Sequence, residues 1–267
     1  VSVENRSGKT YRDAKMKFIA GDVRRVAPRP QPMELARAMK AEAAGAAVME
    51  EKAFFEYHMY TLQRPSTVAD NEIKQLEMFA PVRGMKVDKK FLYQPNRMRW
   101  GGGVYNQQGF GLTVDKKVQV FIEFVNSEAN KLGLPLPAGK VRVYKQDPDD
   151  KALEFVGEEQ IDHTPRNETL SLQIGNAFDL VGERIQKHWE TRGNNFIRET
   201  IEVKLRNQKK AGDVVIRVKE PMYRAKNWKI TEKSHDFQQL DSHTVVFDVP
   251  VPAGQEVVVT FTVEYWW

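Results

Sequence analysis

The residues of this chain best suited to chemistry near neutral pH are its five histidines, and two of them stand in suggestive tripeptides. Ser234-His235-Asp236 and Asp241-Ser242-His243 each contain the three side-chain types of a hydrolase triad. Neighbours along a strand point to opposite faces, whereas triad members must converge in space, so adjacency alone builds no triad. No G-x-S-x-G elbow accompanies them. His235 and His243 could share a metal with Asp236 or Asp241 only if a hairpin folded them together, and HExxH, H-x-H and EF-hand spacings are missing. His58 stands alone in an apolar strand, and Asp162-His163 leads into a turn. The chain has no cysteine, which excludes disulfides, thiol nucleophiles and thiolate metal sites. Gly8-Lys9-Thr10 matches the end of a P-loop, but the position where that loop needs its first glycine is Val3. The acidic turn Asp147-Pro148-Asp149-Asp150 is explained by turn chemistry, and the triplets at Asn5 and Asn167 match a glycosylation sequon that is common by chance. The expectation is therefore no catalytic, cofactor-binding or metal-binding residues.

One stretch could bind rather than react. Asn96 to Gly111 reads NRMRWGGGVYNQQGFG, a loop with three consecutive glycines, aromatic tips and two cations. Arg97, Arg99, Trp100, Tyr105 and Phe110 are the candidate ligand surface, since aromatic faces beside guanidinium groups stack on sugars or nucleobases. The competing reading is a long hairpin connection whose aromatics fold back on the sheet.

The elements that must position this loop are strands. Val118, Val120, Ile122 and Phe124 share one parity, as do Val257, Val259, Phe261, Val263 and Tyr265. Ile201, Val203 and Leu205 alternate with Glu202, Lys204 and Arg206. Between Asn126 and Leu180, apolar runs at Val141, Leu153 and Leu170 are separated by turns rich in Pro, Gly, Asp and Asn. Asp179 to Arg192 is open between strand and short helix. Residues 32–52 (PMELARAMKAEAAGAAVMEEK) are rich in helix formers after the stiff APRPQ segment, and predict a short Ala-rich helical insertion.

Length and composition are those of a globular chain with one large or two ordinary domains. No run approaches the roughly 20 apolar residues of a membrane-spanning helix. The net charge of +5 is modest, and Lys and Arg are interleaved with Asp and Glu, so nucleic acid is not the expected partner. Val1 begins a strand in progress, which reads as a chain lacking its natural N-terminus.

Five stretches together carry a resemblance. They are NRSGKTYRDAKMKFIAGDV, FEYHMYTLQRPSTVADNEIKQLEMF, LGLPLPAGKVRVYKQD, GEEQIDHTPRNETLSLQIGNAFDLVGER and the closing VVVTFTVEYWW. The chain resembles a bacterial family of unknown function whose conserved domain also occurs in mucoidy-inhibitor-A-like proteins. The resemblance implies an exported envelope protein, periplasmic or extracellular, and supplies no catalytic residues. The expected fold is mainly β, with two sandwich-like units of immunoglobulin or fibronectin type at residues 1–193 and 194–267, the break falling at Gly193-Asn194-Asn195. The expected function is non-enzymatic binding, adhesion or assembly, with a protein partner, self-association through strand edges, or a polysaccharide. The alternative is an envelope polysaccharide hydrolase using paired carboxylates.

Overall fold

The computed structural model describes residues 1–21, 42–43, 49–111 and 114–267. Its contacts divide the chain into two units, one of residues 1–86, 124–141 and 160–170, the other of residues 87–123, 142–159 and 171–267. Among the described residues nearly all regular structure is strand, with a single 3₁₀ turn at Glu128–Asn130.

Eight short strands belong to the first unit: β1 (Ser2–Asn5), β2 (Tyr11–Ala14), β3 (Lys17–Ala20), β4 (Glu42–Ala43), β5 (Met49–Phe54), β6 (Tyr57–Leu62), β7 (Ser66–Val68) and β8 (Glu72–Gln75). They pair in three small sheets, ordered β1-β8-β4, β2-β7 and β3-β6-β5. Met49, Tyr60, Leu62 and Leu76 form the core here. The Tyr60 hydroxyl donates to the Pro135 carbonyl at 2.7 Å. Burial, with a smaller push from Glu51, raises that hydroxyl to about 12, so it remains a donor across the physiological range.

The second unit is organised by a nine-stranded mixed sheet. Its later strands follow β9 (Asp88–Tyr93), β10 (Lys117–Val125) and a two-stranded ribbon, β11 (Gly139–Gln146) with β12 (Leu153–Ile161). They are β13 (Thr169–Thr191), β14 (Phe196–Asn207), β15 (Val214–Pro221), β16 (Asn227–Lys233), β17 (Gln238–Asp241), β18 (Thr244–Val251) and β19 (Glu256–Trp266). The order is β16-β19-β14-β13-β10-β9-β15-β18-β17, and β9 and β15 pair in parallel within it. β18 and β19 lie near opposite ends of this order, yet Phe247 stacks on Phe261 at 5.3 Å. The sheet therefore curls until its inner face packs against itself, in the manner of a two-layered β structure. The edges meet too, since the Trp228 indole N–H donates to the Ser242 carbonyl at 2.8 Å. Alternation read from sequence holds along β19, where Val259, Phe261, Val263 and Tyr265 are buried.

Two expectations need correcting. The Ala-rich segment falls mostly outside the described residues, but its last residues are not helical: Met49 to Lys52 begin β5, which pairs with β6 and buries Met49. Cross-strand pairing there satisfies the backbone that a helix would have satisfied internally. The break expected at Gly193 is the turn of a hairpin, since β13 and β14 pair from Leu180↔Asn207 to Thr191↔Ile197. Gly-Asn residues serve a tight turn as readily as a linker, and the sequence does not distinguish the two.

Four buried asparagines tie the turns down: Asn5, Asn96, Asn126 and Asn207. Each accepts a nearby backbone N–H on Oδ1 and donates from Nδ2 to carbonyls of distant segments. Asn126 accepts from Gly133 and donates to Leu134 and Pro165. Asn207 accepts from Lys209 and donates to Gly212 and Val251. An asparagine amide does this because it carries both donor and acceptor on one short stem.

Close packing at the sheet centre turns on one glycine. A Cβ at Gly182 of β13 would sit 2.3 Å from the Tyr93 ring. Gly182→Ala should destabilise the protein by about 1–3 kcal/mol, because an inserted methyl in a packed core forces shifts. Gly103→Ala, where a Cβ meets nothing within 4 Å, should leave the urea midpoint nearly unchanged. Equal midpoints for the two variants would contradict the packing described.

Candidate functional site

Three strands of the second unit carry a charged residue at an inward position. On β14 the buried row reads Ile197, Glu199, Ile201, Val203, Leu205, and on β15 it reads Ile216, Val218, Glu220. On β13 Leu180, Gly182 and Arg184 face inward, and a bulge between Gln186 and His188 changes the parity along the strand before half-buried Trp189. Arg224 follows β15 and is fully buried.

These groups form two ion pairs that screen each other. Arg184 Nε lies 3.1 and 3.0 Å from the two Glu220 oxygens, with side chains only 2% and 1% exposed. Arg224 Nε donates to Glu199 Oε1 at 2.9 Å, with exposures of 0% and 1%. The second Glu199 oxygen accepts from Gln186 Nε2 at 2.7 Å. The Arg224 guanidinium also lies over the Trp189 ring, 4.4 Å from its centroid, and near the Tyr223 ring. Full burial raises the Glu220 pKa against the opposing charge and hydrogen bond of Arg184. Arg184 is held protonated above its ordinary value by Glu220 and Glu199, although burial itself pulls the other way. Burial likewise raises the Tyr223, Tyr93 and Tyr265 hydroxyls. The Tyr93 hydroxyl and Arg184 Nη1 make no hydrogen bond among the described residues.

The remaining donors of Arg224 go to the aromatic loop. Nη1 donates to the Tyr105 and Gln107 carbonyls at 3.1 and 3.0 Å, and Nη2 donates to the Phe110 carbonyl at 3.2 Å. In return the Tyr105 N–H donates to the Arg224 carbonyl at 2.9 Å. Tyr105 and Phe110 stack at 4.4 Å, and the Tyr223 hydroxyl donates to the Phe110 carbonyl. Gly111 allows this approach: its φ is +75°, and a Cβ there would lie 2.5 Å from the Tyr223 oxygen. Asn96 closes the loop base, donating to the Gly111 carbonyl.

The five candidate ligand residues thus divide. Tyr105 and Phe110 stack together where Arg224 grips their backbone. Trp100, half-buried, stacks on His243 at 4.8 Å with the rings 8° from parallel, and its indole N–H donates to the Gly103 carbonyl. Arg97 and Arg99 are exposed. The triad-like tripeptides do not assemble: Asp236 pairs with Lys233, and Asp241 accepts the His243 backbone N–H. Among the described residues no three His, Asp or Glu side chains are grouped to hold a metal, and no helix is long and apolar enough to cross a membrane. Sequence reasoning missed Glu199, Glu220, Arg184 and Arg224. Carrying the parity of Ile201 back to Glu199, or of Val218 on to Glu220, is the signal that finds the first two. No family model, curated protein or solved structure matches the chain.

Two measurements follow from this geometry. Arg224→Met strands Glu199 as an uncompensated buried charge and should cost about 3–5 kcal/mol. It should also speed hydrogen exchange at Phe110, whose N–H otherwise bonds the Gln107 carbonyl in the gripped loop; unchanged exchange would refute the clamp. The Glu220 pKa is raised above its ordinary 4.5, so its contribution is fully present below that pH and is lost as pH rises through the native value. Glu220→Gln should flatten the corresponding slope in urea stability against pH, and an unaltered slope would assign it to other groups.

Proposed function

We propose that this protein is an exported, non-enzymatic binding module of the bacterial cell envelope or extracellular space, and that the 96–111 loop presents its ligand surface. The observation that carries the reading is the Arg224 clamp. A buried guanidinium spends three hydrogen bonds on carbonyls of one loop, which fixes a segment that its glycines would otherwise leave loose. Fixing a loop before binding removes ordering cost from the binding step, which is what a recognition surface needs. Export is supported by the family resemblance of the sequence. We further propose that the curled sheet is of the immunoglobulin or fibronectin kind, and that exposed edge strands such as β17 contact a protein partner or another copy.

The buried carboxylates support binding over hydrolysis. Glu199 and Glu220 are each bound to an arginine inside the sheet, where they hold structure together. The test is an oligosaccharide and peptide binding screen on the full chain, followed by mass analysis of the recovered ligand. At least one ligand should bind, weaken tenfold or more in Trp100→Ala, and return with its mass unchanged. A ligand returned cleaved would establish the hydrolase instead, and binding indifferent to Trp100→Ala would place the surface elsewhere.

A further inference from the structure

We propose that the loop surface takes an acidic polysaccharide, one carrying a carboxylate on its sugar units. The inference rests on the binding reading above and names the ligand class for the same surface.

Trp100 offers one kind of contact only. His243 covers one face of the indole, and the indole N–H is already donated to the Gly103 carbonyl, so a ligand meets the remaining face without a polar handle. That face suits the C–H side of a sugar ring. The flat stack behind it holds the indole in place, because His243 is itself fixed: Nε2 lies 3.1 Å from the Lys226 carbonyl and Nδ1 lies 3.0 Å from Ser242 Oγ.

Three cations that neighbour this platform in the chain or hold its backing histidine are uncommitted. Arg97, Arg99 and Lys226 are exposed and form no ion pair among the described residues. Arginines elsewhere on the second unit's surface are paired, as in Arg198 with Glu232, Arg206 with Glu183 and Arg217 with Asp248. Two acids close to its elements are tied to backbone: Asp241 accepts the His243 N–H, and Asp115, whose own N–H donates to the Pro95 carbonyl, accepts the Lys117 N–H. Guanidinium groups on the same short loop as an aromatic face match a carboxylate borne on a sugar, through paired N–H···O bonds. A nucleic acid would need cations tracking many phosphates, and the modest net charge of +5 with its paired surface arginines does not provide them.

Calorimetry on the full chain separates the possibilities, using galacturonate and glucuronate-containing tetrasaccharides, a neutral glucose tetrasaccharide and a short oligothymidylate. At least one acidic tetrasaccharide should bind, at least tenfold tighter than the neutral one and the oligothymidylate. Arg97→Gln with Arg99→Gln should weaken it tenfold or more while the melting temperature stays within a degree or so of the parent. Neutral sugar bound equally well, with loss in Trp100→Ala, would overturn the acidic class and leave the binding module standing. Oligothymidylate bound as tightly, or no acidic sugar bound at all, would also overturn the class; whether Trp100→Ala affects any ligand of the wider screen decides the module separately.

Discussion

The second unit depends on how four buried charges are neutralised inside an apolar sheet. A single ion placed at Glu199 or Arg224 would cost several kcal/mol, and the structure avoids that by pairing each with a partner and filling the remaining valences. Arg224 is the strictest case. One nitrogen serves Glu199, the other two serve backbone carbonyls of the aromatic loop, and an indole covers the guanidinium plane. Lysine could not substitute, since it has a single nitrogen and no planar fork. Stability of the interior and order in the loop are therefore two consequences of one side chain.

The buried asparagines solve the neighbouring problem, that of tying turns to distant segments. Asn126 joins segments around Gly133, Leu134 and Pro165, and Asn5 donates to the Lys9, Val68 and Ala69 carbonyls. Each adds a local network to the backbone bonds around it, and its burial excludes water from that network.

Strand content was legible in the sequence wherever one face is buried and the other wet, as in β10, β14 and β19. The same alternation marks Glu199 and Glu220 as inward charges, once the row is extended past its apolar members. What periodicity cannot show is pairing between distant strands. The curl that sets Phe247 on Phe261, and the stack of Trp100 on His243, join residues far apart in the chain. Arg224 gave no periodic signal either, since it lies just beyond the end of β15. The loop was recognisable as an aromatic and basic segment, but the side chains that hold its Tyr105 to Phe110 part, Arg224 and Tyr223, lie far away in the chain.

The central claim is that Arg224 makes a glycine-containing loop as rigid as the sheet it crosses. Backbone ¹⁵N relaxation on the full chain tests this most directly at Tyr105, Gln107 and Phe110. Order parameters of about 0.85, matching those of β14 and β19, are the predicted result. Values below about 0.6 at these residues would show a loop free of the clamp, and would contradict the account.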